Sequence, residues 1–274
     1  MPCTDADFAY LRSIVYEHSA NALDSSRDYL FESRLQQFLH STGLRTLENL
    51  VEALRKWPDP AVKRYIAEAM TINETSFFRD RAPFEVLRFD LLPPLIRRRS
   101  SLRRLRFWSG ACSTGQEVYS LAMLLLEFFP ELCDWQLEIL GTDISREVIA
   151  RARAGRYMRM EVNRGLPARF LIKYFRRVGD EWEVIPELRR MCRFHQRNLG
   201  NGPMLLERYD GVLLRNVMSY FSSEARQRLL LNIHRLLARD GFLILGSDEQ
   251  PDPLGVFQSV VTRGTRYNIP LQYP

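Results

Sequence analysis

Residues 109–118 read SGACSTGQEV, and a helical apolar stretch follows directly, GQEVYSLAMLLLEFF. Gly110 and Gly115 have the spacing of a phosphate-binding loop, but Gln116 and Glu117 stand where such a loop carries Lys and Ser or Thr. In that loop backbone amides surround phosphate, the lysine adds charge and the hydroxyl holds magnesium. A carboxylate at Glu117 repels phosphate at a helix N-terminus, so the loop predicts a ligand other than a nucleoside triphosphate. It is not a dinucleotide fingerprint either, which needs G-x-G-x-x-G.

The same rhythm of strand, loop and helix continues outward from this stretch. LRFWSGA reads as the strand entering the loop. WQLEILGTDIS is a strand ending in an acid, with the helix REVIARARAG behind it. YDGVLLRNVMSYF is a strand with a polar C-terminal end. SEARQRLLLNIHRLLARDG is a helix stopped by Gly241, and FLILGSDE is a strand. This alternation predicts an α/β fold, a mostly parallel sheet flanked by helices, with its ligand beyond the strand C-termini. The first seventy residues differ. DFAYLRSIVYEHS, SSRDYLFESRLQQFLHSTG, TLENLVEALRKW and DPAVKRYIAEAM all read as helices, with Thr46 and the Asp59–Pro60 pair as N-terminal signals. TINETSFFRDRAPF breaks that pattern and leads into a further helix, FEVLRFDLLPPLIRR.

At the strand ends the residues favour one ligand chemistry. Asp143 is placed to accept from two ribose hydroxyls. Glu117 suits positive charge, while Asn198 and Asn216 offer amides for an adenine edge or an amino-acid moiety. A small adenosine compound with a cationic tail and no phosphate satisfies all of them, and S-adenosylmethionine (SAM) is that compound. Four cysteines form no C-x-x-C pair and four histidines are scattered, which argues against a structural zinc or other metal site. The net charge is +6, yet only Lys56, Lys63 and Lys173 are lysines. A bias toward arginine this uniform reads as codon usage, and the run RRRSSLRRLR at 97–106 as a solvated linker rather than a nucleic-acid face. No stretch approaches the roughly 20 apolar residues of a membrane span, and MPCTDADFAYLRS lacks a leader pattern. The chain reads as a cytoplasmic monomer without membrane insertion.

Taken together, TINETSFFRD (71–80), SGACSTGQEVYS (109–120), GTDIS (141–145), RNL (197–199), LLRNVMSYF (213–221) and GSDE (246–249) resemble the chemotaxis receptor glutamate methyltransferases, the CheR family. The resemblance implies an all-α N-terminal domain over 1–73, a linker over 74–86 that contributes to the active site, and a Rossmann-like SAM-binding domain over 87–274. A small antiparallel β-subdomain is inserted at about 172–190. It implies transfer of a methyl group from SAM to receptor glutamates, leaving S-adenosylhomocysteine (SAH). Carried over, it places Asn73, Thr75, Arg79, Gly110, Glu117, Asp143, Asn198, Leu199, Asn216 and Val217 around the cofactor, with Arg79 and Tyr220 beside the methyl-transfer point.

Two departures bear on partners. The family's second helix usually carries basic residues that dock the acidic receptor. Here Arg34 remains, but Gln36, Gln37 and His40 stand where others are common. Members that bind a receptor's C-terminal pentapeptide have a longer glycine-containing loop in the β-subdomain. Here Gly179-Asp180 is a two-residue connection suited to a tight hairpin, which predicts a pentapeptide-independent enzyme. Rival readings are a nucleic-acid methyltransferase and a non-catalytic SAM sensor. The first lacks its acidic or amide Pro-Pro-aromatic string, since RNVMSYF occupies that place. The second has no need of Arg79 and Tyr220, both present.

Overall fold

The computed structural model describes residues 3–200, 207–251 and 255–271. The first two residues of the stretch read above for a leader lie outside these. Four helices come first: α1 (Asp5–Ser19), α2 (Tyr29–Thr42), α3 (Leu47–Lys56) and α4 (Pro60–Ala69). Their starts are encoded locally. Thr4 and Asp7 form a reciprocal capping box on α1, Thr46 accepts from the Asn49 amide, and Asp59 accepts from Ala61 ahead of Pro60. Apolar residues at helical spacing, Leu11 and Val15, Phe31 and Leu35, Leu50 and Leu54, Ile66 and Met70, meet in one core.

Arg34 belongs to this packing. Its guanidinium donates to the carbonyls of Ala69 (3.1 Å) and Thr71 (2.7 Å), the free acceptors at the end of α4. The side chain expected to face a receptor is engaged in closing the helical domain.

Residues 70–81 are irregular, and a helical segment then runs through α5 (Ala82–Val86), a π turn (Leu87–Leu91) and α6 (Leu92–Arg99). The sequence predicts one helix here. The π turn lies immediately before Pro93 and Pro94, which have no N–H to continue an ordinary ladder.

The α/β part contains β1 (Arg104–Gly110), α7 (Gln116–Phe128), β2 (Gln136–Asp143), α8 (Arg146–Ala154), β3 (Arg156–Met158), α9 (Arg159–Asn163), α10 (Ala168–Tyr174), β4 (Phe175–Val178), β5 (Glu181–Val184), α11 (Pro186–Met191) and β6 (Cys192–Gln196). It continues with β7 (Tyr209–Leu214), α12 (Ser223–Leu236), β8 (Leu237–Leu245), β9 (Phe257–Thr262) and β10 (Thr265–Pro270). The main sheet has the order β6-β2-β1-β7-β8-β10-β9. Its first five strands are parallel, and β10 runs antiparallel to both β8 and β9. Every residue of β7 is buried, as befits a central parallel strand covered on both faces. The chain steps from β1 through β2 to β6 on one side, then restarts at β7 on the other. That reversal opens a crevice at the C-terminal ends of β1 and β7, where sheets of this kind bind ligands.

A second sheet, β3-β5-β4, is antiparallel. Its strand β3 lies upstream of the 172–190 stretch. Gly179 and Asp180 join β4 to β5 with no residue to spare, and Gly179 takes the positive φ of 60° that a Gly-first hairpin turn needs.

The arginine run at 97–106 is largely paired. Arg98 and Arg99 hold Asp240 at 2.7 and 2.6 Å, Arg99 also reaches Asp210 at 2.8 Å, Arg103 pairs with Asp134, and Arg106 meets Glu138 at 2.9 Å. Hydrogen bonds from Arg99, and then from Arg98, hold the Asp240 carboxyl down at about 2. A carboxyl depressed on folding stabilises the fold above its unfolded value of about 3.9 and loses that contribution as the pH falls through its folded value. Asp240→Asn is therefore expected to lower stability by about 1 kcal/mol at pH 7, a figure reduced for solvent screening. The gap to wild type should narrow in urea titrations between pH 4 and 2. A pH-independent gap would show that the carboxylate's charge is not its source.

Candidate functional site

Strand β1 runs into the loop 111–115, whose backbone is strained. Ala111 and Ser113 adopt left-handed φ values of 54° and 50°, and Gly115 stands at 91°. Such conformations are costly outside glycine and persist where neighbours enforce them. Cys112 N–H donates to Thr142 O (2.9 Å), Ser113 N–H to Asp143 Oδ2 (2.9 Å), and Ser113 Oγ to Asn73 O (2.8 Å). The loop is thus fastened to the end of β2 and to the segment after α4, and the three surround one cavity.

That cavity is lined by Asn73, Thr75, Arg79, Glu117, Asp143, Asn198, Leu199, Asn216, Val217 and Tyr220, ten of the eleven residues singled out from the sequence. Gly110 is off the cavity wall. A Cβ there would lie 2.9 Å from Leu214 Cδ1, so its bareness serves the close approach of β1 and β7.

Asp143 ends β2 and is 5% exposed. Burial pushes its carboxyl above the usual range, against the pull of the Ser145 and Ser113 amides. Those amides take one lone pair from each oxygen, at 3.0 and 2.9 Å. The remaining pairs suit a vicinal diol.

Glu117 lies in the first turn of α7. Its Oε1 accepts from Ser109 Oγ (2.8 Å) and its Oε2 pairs with Arg215 (2.8 Å). Arg215, at the end of β7, also meets Asp80 at 2.6 Å and donates to Arg79 O at 3.0 Å. Glu117 alone suggested a bare anion, whereas the structure gives a cluster of two carboxylates and one guanidinium. Of the three only Glu117 and Arg215 line the cavity, so the carboxylate available to a cationic ligand there is that of Glu117. Arg215 is the residue the sequence reading missed. Its signal was an arginine ending the otherwise apolar strand YDGVLLR.

The segment TSFFRD explains how Arg79 reaches the cavity. Phe77 is wholly buried, edge-on to Tyr157 and Phe175, and Phe78 N–H donates to Ser120 Oγ (2.9 Å). Phe78, Asp80 and Arg81 all take left-handed φ values, 48°, 67° and 46°. With both rings anchored and Asp80 held by Arg215, the half-buried Arg79 faces the cavity. Its Nη1 donates to Glu74 O (3.0 Å); it makes no salt bridge among the described residues, and the Glu74 carboxylate, paired with Arg164, feels its charge.

The two asparagines differ: the Asn198 side chain is already hydrogen-bonded, whereas Asn216 is held by its backbone. Asn198 donates from Nδ2 to His18 O and accepts at Oδ1 from Gly200 N–H (2.8 Å). Asn216 has φ 58°, and its N–H donates to Glu249 (2.9 Å). Glu249, unassigned within GSDE, also accepts from Met218 and Gly246 amides, each at 2.7 Å, and so shapes the loop carrying Tyr220. A Cβ at Gly246 would lie 2.8 Å from that carboxylate.

The helical part completes the wall with Ser19 and Asn21. Ala22 N–H donates to Tyr220 O (2.8 Å), and the Arg27 guanidinium lies 5.7 Å from the centre of the Tyr220 ring. The cavity offers a diol acceptor in Asp143, a carboxylate in Glu117 for a cationic tail and no lysine, a set that fits SAM.

Comparison with known proteins bears on the same residues. A family model described as the CheR methyltransferase all-alpha domain matches residues 6–71, and one for the CheR methyltransferase SAM-binding domain matches residues 73–262. The chain is 37% identical over 253 residues to chemotaxis protein methyltransferase 1 of Pseudomonas aeruginosa, covering 91% of this chain and 92% of that one. It is 35% identical to chemotaxis protein methyltransferase Cher2 of Pseudomonas putida over the same shares. Identity to chemotaxis protein methyltransferase 2 of Vibrio cholerae is 30%, over 90% of this chain and 86% of that one.

Proposed function

Because the chain belongs to the CheR methyltransferase family and is a SAM-dependent methyltransferase, we propose that it methylates glutamate side chains of methyl-accepting chemotaxis receptors in sensory adaptation. One observation carries the choice of a carboxylate: Arg79 lines the cavity and makes no salt bridge among the described residues, since the nearby Glu74 carboxylate is taken by Arg164. A guanidinium is the natural clamp for a carboxylate, through paired N–H donors.

Glutamate is ionised at neutral pH, with a reference pKa of about 4.3, so no general base is required. SAM supplies an activated methyl group. A carboxylate oxygen bonds to the methyl carbon as the sulfur–carbon bond breaks, giving a methyl ester and SAH with no proton released. Arg79 orients the carboxylate without quenching both oxygens, and Tyr220 completes the alignment from the opposite loop. Orientation of this kind supplies about 7 to 11 kcal/mol of such barriers. Asp143 holds the ribose, and Glu117, itself held by Arg215, faces the cationic tail. Asn73, Thr75, Leu199, Asn216 and Val217 complete the cofactor wall. The test is SAM-dependent labelling of receptors from the same cell, read as base-labile methyl esters. Label stable to base would mean a different acceptor.

Among the described residues no helix is long and apolar enough to cross a membrane. We place the enzyme in the cytoplasm, as a monomer, docking through its N-terminal helices on the receptor's methylation helices. Arg34 contributes to the integrity of those helices more than to contact. The Gly179-Asp180 turn has no slack for a peptide-binding loop, so we further propose independence from the receptor's C-terminal pentapeptide. Calorimetry with the host receptors' C-terminal pentapeptides is expected to show no saturable binding. Micromolar binding to any of them would overturn this part.

A further inference from the structure

Tyr220 lines the cavity from the short 3-10 turn Met218–Tyr220 that follows β7. The helical domain holds this turn from outside. Ala22 N–H donates to Tyr220 O (2.8 Å), Asn21 forms an antiparallel bridge with Phe221, and Tyr16 Oη lies 3.4 Å from Ser222 Oγ. These ties fix the chain at and after Tyr220, and none of them involves its ring. The ring is met by the Arg27 guanidinium, 5.7 Å from its centre.

The turn carrying Arg27 leaves that charge available. Arg27 ends the 3-10 turn Ser25–Arg27, and the two carboxylates next to it are engaged elsewhere. Asp28 pairs with Arg12 at 2.6 Å, and Asp24 accepts from the Ser26 N–H (2.9 Å) and hydroxyl. Asp24 comes no nearer to Arg27 than 3.9 Å and is 65% exposed, an arrangement that contributes little. A cation over an aromatic face is attracted by the ring quadrupole. It also draws electron density from the ring, which makes the phenolic O–H a stronger donor.

We propose that Arg27, from the helical domain, is a positioning residue for methyl transfer: it holds the Tyr220 ring in the cavity wall and strengthens its hydroxyl as a donor to the substrate carboxylate. This rests on the role given to Tyr220 above. It gives the helical domain a part in the methyl-transfer step as well as in docking.

The test is steady-state receptor methylation by Arg27→Met, which loses the charge, and Arg27→Lys, which keeps a cation, with thermal melting checking that each is folded. Arg27→Met should lower kcat about two- to fivefold, the scale of an exposed cation–π contact, with KM for receptor and Kd for SAH unchanged. Arg27→Lys should recover most of the loss. In a Tyr220→Phe background Arg27→Met should have little further effect, because the hydroxyl it acts on is gone. Equal losses in both backgrounds would overturn the proposal. So would a raised KM at unchanged kcat, which would make Arg27 a receptor contact. Wild type that forms no base-labile ester would instead overturn the functional reading beneath it.

Discussion

Arg79→Ala is expected to slow methyl transfer to receptor by about 100- to 1,000-fold, the scale for losing one preorganised donor at a reacting oxygen. Affinity for SAH should change much less. The loss should appear mainly in kcat, because the proposed contact matters most when the carboxylate is aligned for attack. Arg79→Lys should recover little, since a point charge lacks the planar fork. The cavity should persist in the variant, because Phe77 and Phe78 anchor the segment independently of Arg79. Single-turnover methylation alongside SAH calorimetry checks this. Wild-type turnover in Arg79→Ala would remove the residue from the mechanism. Tyr220→Phe should follow the same pattern with a smaller loss, as only one hydroxyl is removed.

Arg215→Met should have the largest effect on stability. The Arg215 side chain is 2% exposed, and it neutralises Glu117, whose side chain is 13% exposed. Removing one partner of a buried pair costs about 3 to 5 kcal/mol, because the other charge is left without compensation. The value here should fall toward the lower end, since the second partner, Asp80, is 43% exposed and can be solvated. Double replacement, Arg215→Met with Glu117→Gln, should restore part of the loss, as a neutral amide is cheaper to bury than an unpaired carboxylate. Urea denaturation of the three proteins measures this. Arg215→Met of wild-type stability would mean that water reaches Glu117 more freely than its burial indicates.

Much of this protein is legible from short windows of sequence. Thr46 and Asp59 announce helix starts because a cap acts on amides two or three residues away. The apolar run of β7 marks a central strand, and the spacing of Gly110 and Gly115 marks a strand-to-helix loop. Gly179-Asp180 marks a hairpin because the turn geometry is set by the two residues themselves. Each is a local property, settled by backbone preference and hydrophobic period before any distant contact forms. The ligand chemistry was legible as well, since Asp143 and Glu117 sit at strand and helix ends where the fold class directs them to the crevice.

The pairing of charges and amides was not legible, because it depends on which strand lies beside which. Arg215 meets residues 98 and 135 positions away in the chain, and nothing around residue 215 names them. The order β2-β1-β7 brings Glu117 and Arg215 together, and the folding of TSFFRD against α7 adds Asp80. Asn198 reads as a cofactor amide until the helical domain and its own loop take its hydrogen bonds, and Arg34 as a surface cation until α4 ends beside it. Arg27 carries no local signal of Tyr220 at all. By itself the sequence determined most of the elements and the side-chain chemistry at their ends, though α12 ends at Leu236 and β8 runs through Gly241, read as that helix's stop. Only the tertiary structure decided which of those polar groups are satisfied within the protein and which remain for a ligand, because a buried hydrogen bond is a property of two atoms brought together by the whole fold.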